Sequence, residues 1–299
     1  MKILVGTSSW TDPTLIKSGL FYPRGTNTAE KRLVYYAKNF PLVEVDSSYY
    51  YLPTERNAAL WVERTPPDFT FDVKAYSLFT HHPTRTNGFP ATMKQVIDPE
   101  VSARQTVYDK DLPAAAVDFA WEEFRRALMP LDSAGKLGAV LFQFPRWFAC
   151  NRANKQYLLE CRDRLPTIKL AIEFRQHTWL DEEHRERTVS FLAENGLALV
   201  NVDGPQGFDS SVPPTAEVTS DVAIVRFHGR NREAWAAKGL SAAERFRYLY
   251  SEEELAGWVG RIRRMAAQAK ETHVLMNNCY SNYAVLNAMQ LAEMLGDVP

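Results

Sequence analysis

The chain holds little cysteine, little histidine and no excess charge of either sign. Its three cysteines, Cys150, Cys161 and Cys279, lie far apart and form no Cys-x-x-Cys pair. That excludes a disulfide framework and a zinc knuckle, and fits reduced thiols in a cytoplasmic protein. Lys2 is followed by only a short apolar run, Ile3–Gly6, too brief for a signal-peptide core. Nothing approaches the roughly 18 apolar residues of a membrane span, so no membrane partner is expected. Lys and Arg total 35 against 36 for Asp and Glu, a net charge of −1 over 299 residues. A general nucleic-acid binder wants a broad basic field. Nucleic acid is therefore a disfavoured partner, with a local basic groove left open. The Gly-x-Gly-x-x-Gly, Walker, His-Glu-x-x-His and Gly-x-Ser-x-Gly motifs are also missing, and with them the common nucleotide, metalloprotease and serine-hydrolase readings.

What is present is alternation. Short β-rich apolar runs recur at Ile3–Gly6, Leu42–Asp46, Phe69–Lys74, Ala139–Phe144, Leu170–Phe174, Leu197–Val202, Ala223–Phe227 and His273–Asn277. Several are apolar at nearly every position, the pattern of parallel strands covered on both faces. Helical stripes lie between them. Asn27 or Thr28 caps one and Thr54 caps a second. A third covers Asp118–Asp132, where Pro130 must kink or end it. Asp181 with Glu182 and Glu183 opens another, stopped at Gly196. Ser251-x-x-Glu254 forms a capping box, and Gly296 ends the last helix. After the sixth strand the Pro- and Gly-rich stretch Asp203–Asp221 reads as loop. The expected fold is an α/β, (β/α)8 TIM-barrel-like domain over residues 1–299, with eight parallel strands and about seven helices. An open doubly wound sheet is the alternative. A long excursion, Ala75–Val117, follows strand three and suggests a lid or binding loop.

Active sites of such barrels sit at the strand C-terminal ends, and there the strands break into polar residues. By the period of two, Glu44 and Asp46, Asp72 and Lys74, Gln143, Glu173 and Arg175, Asn201 and Asp203, Arg226 and His228, and Asn277 face one concavity. Thr7 and Ser8 complete the ring. Ionised groups in a barrel core are costly unless paired, so a purely structural charge plug is the competing reading, strongest for the deep Asp72 and Glu44. Trp10, Tyr49-Tyr50-Tyr51, Trp147 and Trp179 cluster at the same rim, where rings stack on a sugar or base or simply pack. His81 and His82 read as solvated loop. No metal or other cofactor is expected. A divalent-metal site of Asp46, Glu173 and Asp203 is the weaker alternative.

These strand ends carry a resemblance. Gly6-Thr7-Ser8-Ser9-Trp10, Val43-Glu44-Val45-Asp46-Ser47-Ser48-Tyr49-Tyr50 and Phe71-Asp72-Val73-Lys74-Ala75 are followed in order by Leu141-Phe142-Gln143-Phe144-Pro145, Glu173-Phe174-Arg175 with Trp179, Val225-Arg226-Phe227-His228-Gly229, and Asn277-Asn278 with Ala284, Asn287 and Ala288. The chain resembles the YecE-like family, a domain of unknown function. The resemblance implies a TIM-barrel-like fold and no established activity. Ser9 stands where a glycine is usual, and Cys279-Tyr280-Ser281-Asn282 replaces the usual acidic and glycine residues.

Three functions fit these residues. The first is an enzyme (hydrolase, lyase or isomerase) acting on a small anionic or polyhydroxylated ligand, such as a sugar phosphate or nucleotide fragment. Glu173 and His228 would exchange protons, with Asp46 and Asp203 as further catalytic candidates. Lys74, Arg175 and Arg226 would bind the anion, and Gln143, Asn277 and Asn278 would orient hydroxyls. Thr7, Ser8, Trp10, Tyr50 and Trp179 complete the candidate binding set. The second is a nucleic-acid-binding barrel without catalysis, and the third a ligand-sensing scaffold.

Overall fold

The computed structural model describes residues 2–237 and 239–296. Among them, eight parallel strands close into a barrel: β1 (Lys2–Thr7), β2 (Leu42–Val45), β3 (Thr70–Lys74), β4 (Leu137–Gln143), β5 (Leu170–Glu173), β6 (Ala198–Asp203), β7 (Val222–Phe227) and β8 (Glu271–Met276). Each pairs with its sequence neighbours, and β8 closes on β1. Seven outer helices cover it among the described residues: α1 (Ala29–Tyr36), α2 (Glu55–Glu63), α3 (Ala114–Ser133), α4 (Arg152–Arg164), α5 (Arg185–Glu194), α6 (Glu252–Ala266) and α7 (Tyr283–Leu295). The expected barrel is thus observed, and no outer helix lies between β6 and β7.

The caps explain most helix boundaries. Thr28 and Thr54 each accept from the backbone N–H three residues on, Ser251 and Glu254 form the reciprocal box, and Gly196 and Gly296 adopt the left-handed conformation that ends a helix. Two expectations need correcting. Helix α3 begins at Ala114, behind Pro113, and runs through Pro130 to Ser133. Pro130 falls in its last turn and removes one backbone bond there, and the helix ends three residues later. Helix α5 begins at Arg185, with Asp181 ahead of it accepting from His184 N.

The excursion after β3 is packed and not loose. A two-residue strand pair, Thr84–Arg85 with Thr106–Val107, ties it together. Phe79 stacks on Trp121 of α3 at 3.9 Å, and Tyr157 of α4 donates to the Phe79 carbonyl. Its own Phe89, Met93 and Ile97 are buried. This anchoring fixes the position of His81 and His82, the two residues that lead back toward the barrel mouth.

Candidate active site at the strand C-terminal ends

Glu44 on β2, Glu173 on β5 and Arg226 on β7 meet inside the barrel with no exposed side-chain surface. Arg226 donates twice to Glu44, through Nε at 2.9 Å and Nη2 at 2.8 Å, and through Nη1 to Glu173. One guanidinium is therefore shared by two carboxylates. Burial pushes the Glu44 carboxyl up, to about 7, and Arg226 only partly offsets it. Burial also acts on Glu173, but Arg226, Arg175 and the His228 hydrogen bond outweigh it and hold that carboxyl well below its ordinary range. Ser8 Oγ lies 3.5 Å from Glu44.

His228 sits above this triad, fully buried. Asn277 Nδ2 donates to its Nδ1 at 2.7 Å, which places the single ring proton on Nε2, 2.9 Å from Glu173 Oε1. Arg175 Nη2 lies 3.0 Å from the same nitrogen. Burial, and then Arg175, push His228 down to about 3, so the ring is neutral at pH 7. Glu173 Oε1 also accepts from Gln143 Nε2 and Arg175 Nε, both at 2.6 Å. Glu173 is thus saturated with donors.

The layer above is open. A cleft of about 920 Å³ has Gln143 and Arg175 in its lining, with His82, Trp147, Trp235 and Phe246. Arg175 is 13% exposed, and its guanidinium lies 5.1 Å over the Trp235 ring. His82 packs edge-on to Tyr49 and Trp147. Burial with the nearby Lys74 and Arg175 charges pushes it down to about 4. Its Nδ1 is bonded to Thr80 Oγ1 at 2.9 Å, which leaves Nε2 as the ring's other polar atom. At the mouth, Lys74 pairs with Asp46 at 3.0 Å and lies 4.8 Å from the centre of the Tyr49 ring. Tyr50 is 45% exposed there.

Other candidates point elsewhere. Asp203 and Asn201 face outward, since β6 pairs Val202 with the inward Arg226. Asp203 accepts from Arg230, Tyr250 and Trp258 of the outer layer. Asn201 bonds the Glu217 backbone N–H and carbonyl, fastening the loop that stands in for the missing helix. The Asp46, Glu173 and Asp203 metal set is therefore not assembled, and no group of three ligating side chains occurs among the described residues. Thr7 bonds Tyr36 of α1, and Asn278 bonds Asn287 of α7, so both face the helices. Trp10 packs on Trp61 of α2, and Trp179 is buried against Phe174 and Phe148. Ser281 adopts φ 52, the conformation for which glycine is usual at that point.

The other end of the barrel is closed. His273 on β8 faces Asp72 on β3, with Nδ1 2.9 Å from Oδ2, and Glu271, 3.4 Å from Nε2. Burial disfavours its charge, but the two carboxylates outweigh this and raise it to about 9. Gly138 makes the room: a Cβ there would lie 2.5 Å from Asp72 Oδ1 and 2.7 Å from His273 Cε1. A second cleft of about 880 Å³ opens at this end beside Phe40, Phe69 and Met289. It lies away from the strand C-terminal ends, where barrel chemistry is placed.

A family model described as "Protein of unknown function DUF72" matches residues 4–299. The UPF0759 protein YunF of Bacillus subtilis (strain 168) is 32% identical over 297 residues, 98% of this chain and 94% of that protein. A solved DUF72 family protein of Enterococcus faecalis V583 aligns at TM-score 0.78 with 29% identity, covering 98% of this chain and 95% of that one. Another, from Thermotoga maritima MSB8, aligns at 0.75 with 33% identity, covering 99% of this chain and 100% of that one. A match of this extent, over the same barrel, shows that the chain belongs to the DUF72 family.

Proposed function

We propose that the open end of the barrel binds a small anionic or polyhydroxylated ligand and acts on it by acid–base chemistry. The observation that carries this reading is the cleft floored by Arg175 and Gln143, set over a buried network that holds both in place. Arg175 is the anion-binding group. Its Nε is engaged by Glu173 below, which leaves the terminal guanidinium nitrogens for the ligand. Gln143, held by Glu173, orients a hydroxyl or a phosphate oxygen.

The proton-transfer roles expected of Glu173 and His228 pass to His82. Glu173 is saturated and held ionised, and His228 is covered by Arg175 and Asn277. Both are positioning residues for Arg175. His82 faces the cleft as a neutral imidazole. Burial depresses it most and the Lys74 and Arg175 charges add to this; a bound anion offsets those two charges and so makes His82 more basic.

The test is turnover of a panel of phosphorylated sugars and nucleotides, followed by mass spectrometry. His82→Ala should lose about 10²–10⁴-fold in rate, the usual worth of a positioned acid–base group, while still binding. Glu173→Gln, which loosens the hold on Arg175, should also slow turnover and should lower the melting temperature, since Arg226 and Arg175 lose a shared carboxylate. A His82→Ala protein with full rate, or a wild type that binds such ligands and converts none, contradicts the proposal.

A further inference from the structure

We infer that the cleft takes a flat heteroaromatic ring carrying one phosphate, a nucleoside monophosphate in size and chemistry. This rests on reading the cleft as the ligand site and names what fills it.

Two aromatic groups reach the cleft from opposite arcs of the barrel. His82 and Trp147 come from the segments after β3 and β4, with ring centres 5.9 Å apart. Trp235 and Phe246 come from the segment after β7, 6.4 Å apart. Trp147 is 53% exposed, which leaves a large apolar face uncovered. An exposed indole beside a concave site suits a stacked ring.

The charge points the same way. Arg146, Arg175 and Arg245 line the cleft against one acid, Asp209, among the described residues. Among the described residues the Arg245 side chain donates to the Ala237 carbonyl, and neither Arg245 nor Arg146 makes an ion pair. Guanidinium groups match phosphate oxygens in pairs. Ser210 Oγ accepts from Trp235 Nε1, which ties that indole to the cleft wall. A bare sugar phosphate would leave the rings uncovered. A nucleoside alone would bring no counter-charge to Arg146 and Arg245. The volume, about 920 Å³, accommodates both parts at once.

The experiment measures binding of adenosine monophosphate, adenosine and ribose 5-phosphate at one ionic strength, by calorimetry and tryptophan fluorescence. The proteins are the wild type, Trp147→Ala and Arg245→Ala. The nucleotide should bind at least about tenfold more tightly than either fragment, as expected when a stacked ring and an ion pair act together. Trp147→Ala should weaken the nucleotide by about tenfold and leave ribose 5-phosphate unchanged. Arg245→Ala should weaken both phosphates and leave adenosine unchanged. Both side chains are at the surface of the cleft, so melting temperatures should stay level. Equal affinity for the nucleotide and ribose 5-phosphate overturns the ring while the anion site stands. Equal affinity for the nucleotide and adenosine overturns the phosphate. Binding of none of the three overturns this inference, while turnover of any other phosphorylated sugar in the panel would keep the proposed function standing.

Discussion

The two ends of the barrel each bury a histidine against a carboxylate, and the two histidines end in opposite states. His273 has a carboxylate at each ring nitrogen, Asp72 and Glu271, and is pushed up to about 9. His228 has Glu173 at Nε2, but that carboxylate already serves Arg226 and Arg175. Its other nitrogen meets only an amide. Equal burial therefore gives a cation at one end and a neutral ring at the other. The difference teaches that a buried His–carboxylate contact does not fix a protonation state. The charges around the carboxylate do. It also separates a closing pair from a layer that supports a site. The lower pair ends in packing at Gly138, whereas the upper network ends in Arg175 and Gln143, both facing the cleft.

The largest effect should come from Arg226→Met. It leaves Glu44 and Glu173 buried without their shared cation, and removing one member of a buried ion pair costs about 3–5 kcal/mol. Urea denaturation at pH 7 reads this directly, and adding Glu44→Gln should recover part of it. Asp72→Ala should fall at the lower edge of that range, because Glu271 still faces His273. It should leave ligand binding at the other end intact. Loss of binding in Asp72→Ala would break the separation of the two ends. Gly138→Ala should cost less again, about 1–3 kcal/mol, since its Cβ must displace Asp72 and His273.

The pH dependence has opposite sign at the two ends. The folded value of His273 is about 9 against an ordinary 6.5. Its contribution is complete below pH 6.5 and is lost as pH rises through 9. The folded value of His228 is about 3 against 6.5. The unfolded chain takes a proton that the fold refuses, so this contribution falls as pH drops from 6.5 toward 3. Glu173, held low, weakens in the same acid direction. Glu44, raised to about 7, works against both. Stability curves of His273→Gln should lose the alkaline decline, and those of His228→Gln should lose part of the acid decline.

Much of this was legible in the sequence. Apolar runs and caps located every barrel strand within about two residues, and the Pro- and Gly-rich stretch after strand six marked the place without an outer helix. The period of two also showed which residues share a face, but not which face points inward. In β2, β3, β5 and β7 the polar face is the inner one. In β6 it is the outer one, because Asn201 satisfies the backbone of the loop that replaces a helix. Thr7 and Ser8 are neighbours, as are Asn277 and Asn278, so only one of each pair enters the barrel. His82 gave no periodic signal, since its place depends on how the excursion packs on Trp121 and Tyr157.

The most direct test is an NMR titration of the two imidazoles, assigned through His228→Gln and His273→Gln. His273 should stay protonated from neutral pH until about 9, and His228 should stay neutral until about 3. Two rings that titrate together near the ordinary histidine value would contradict the account.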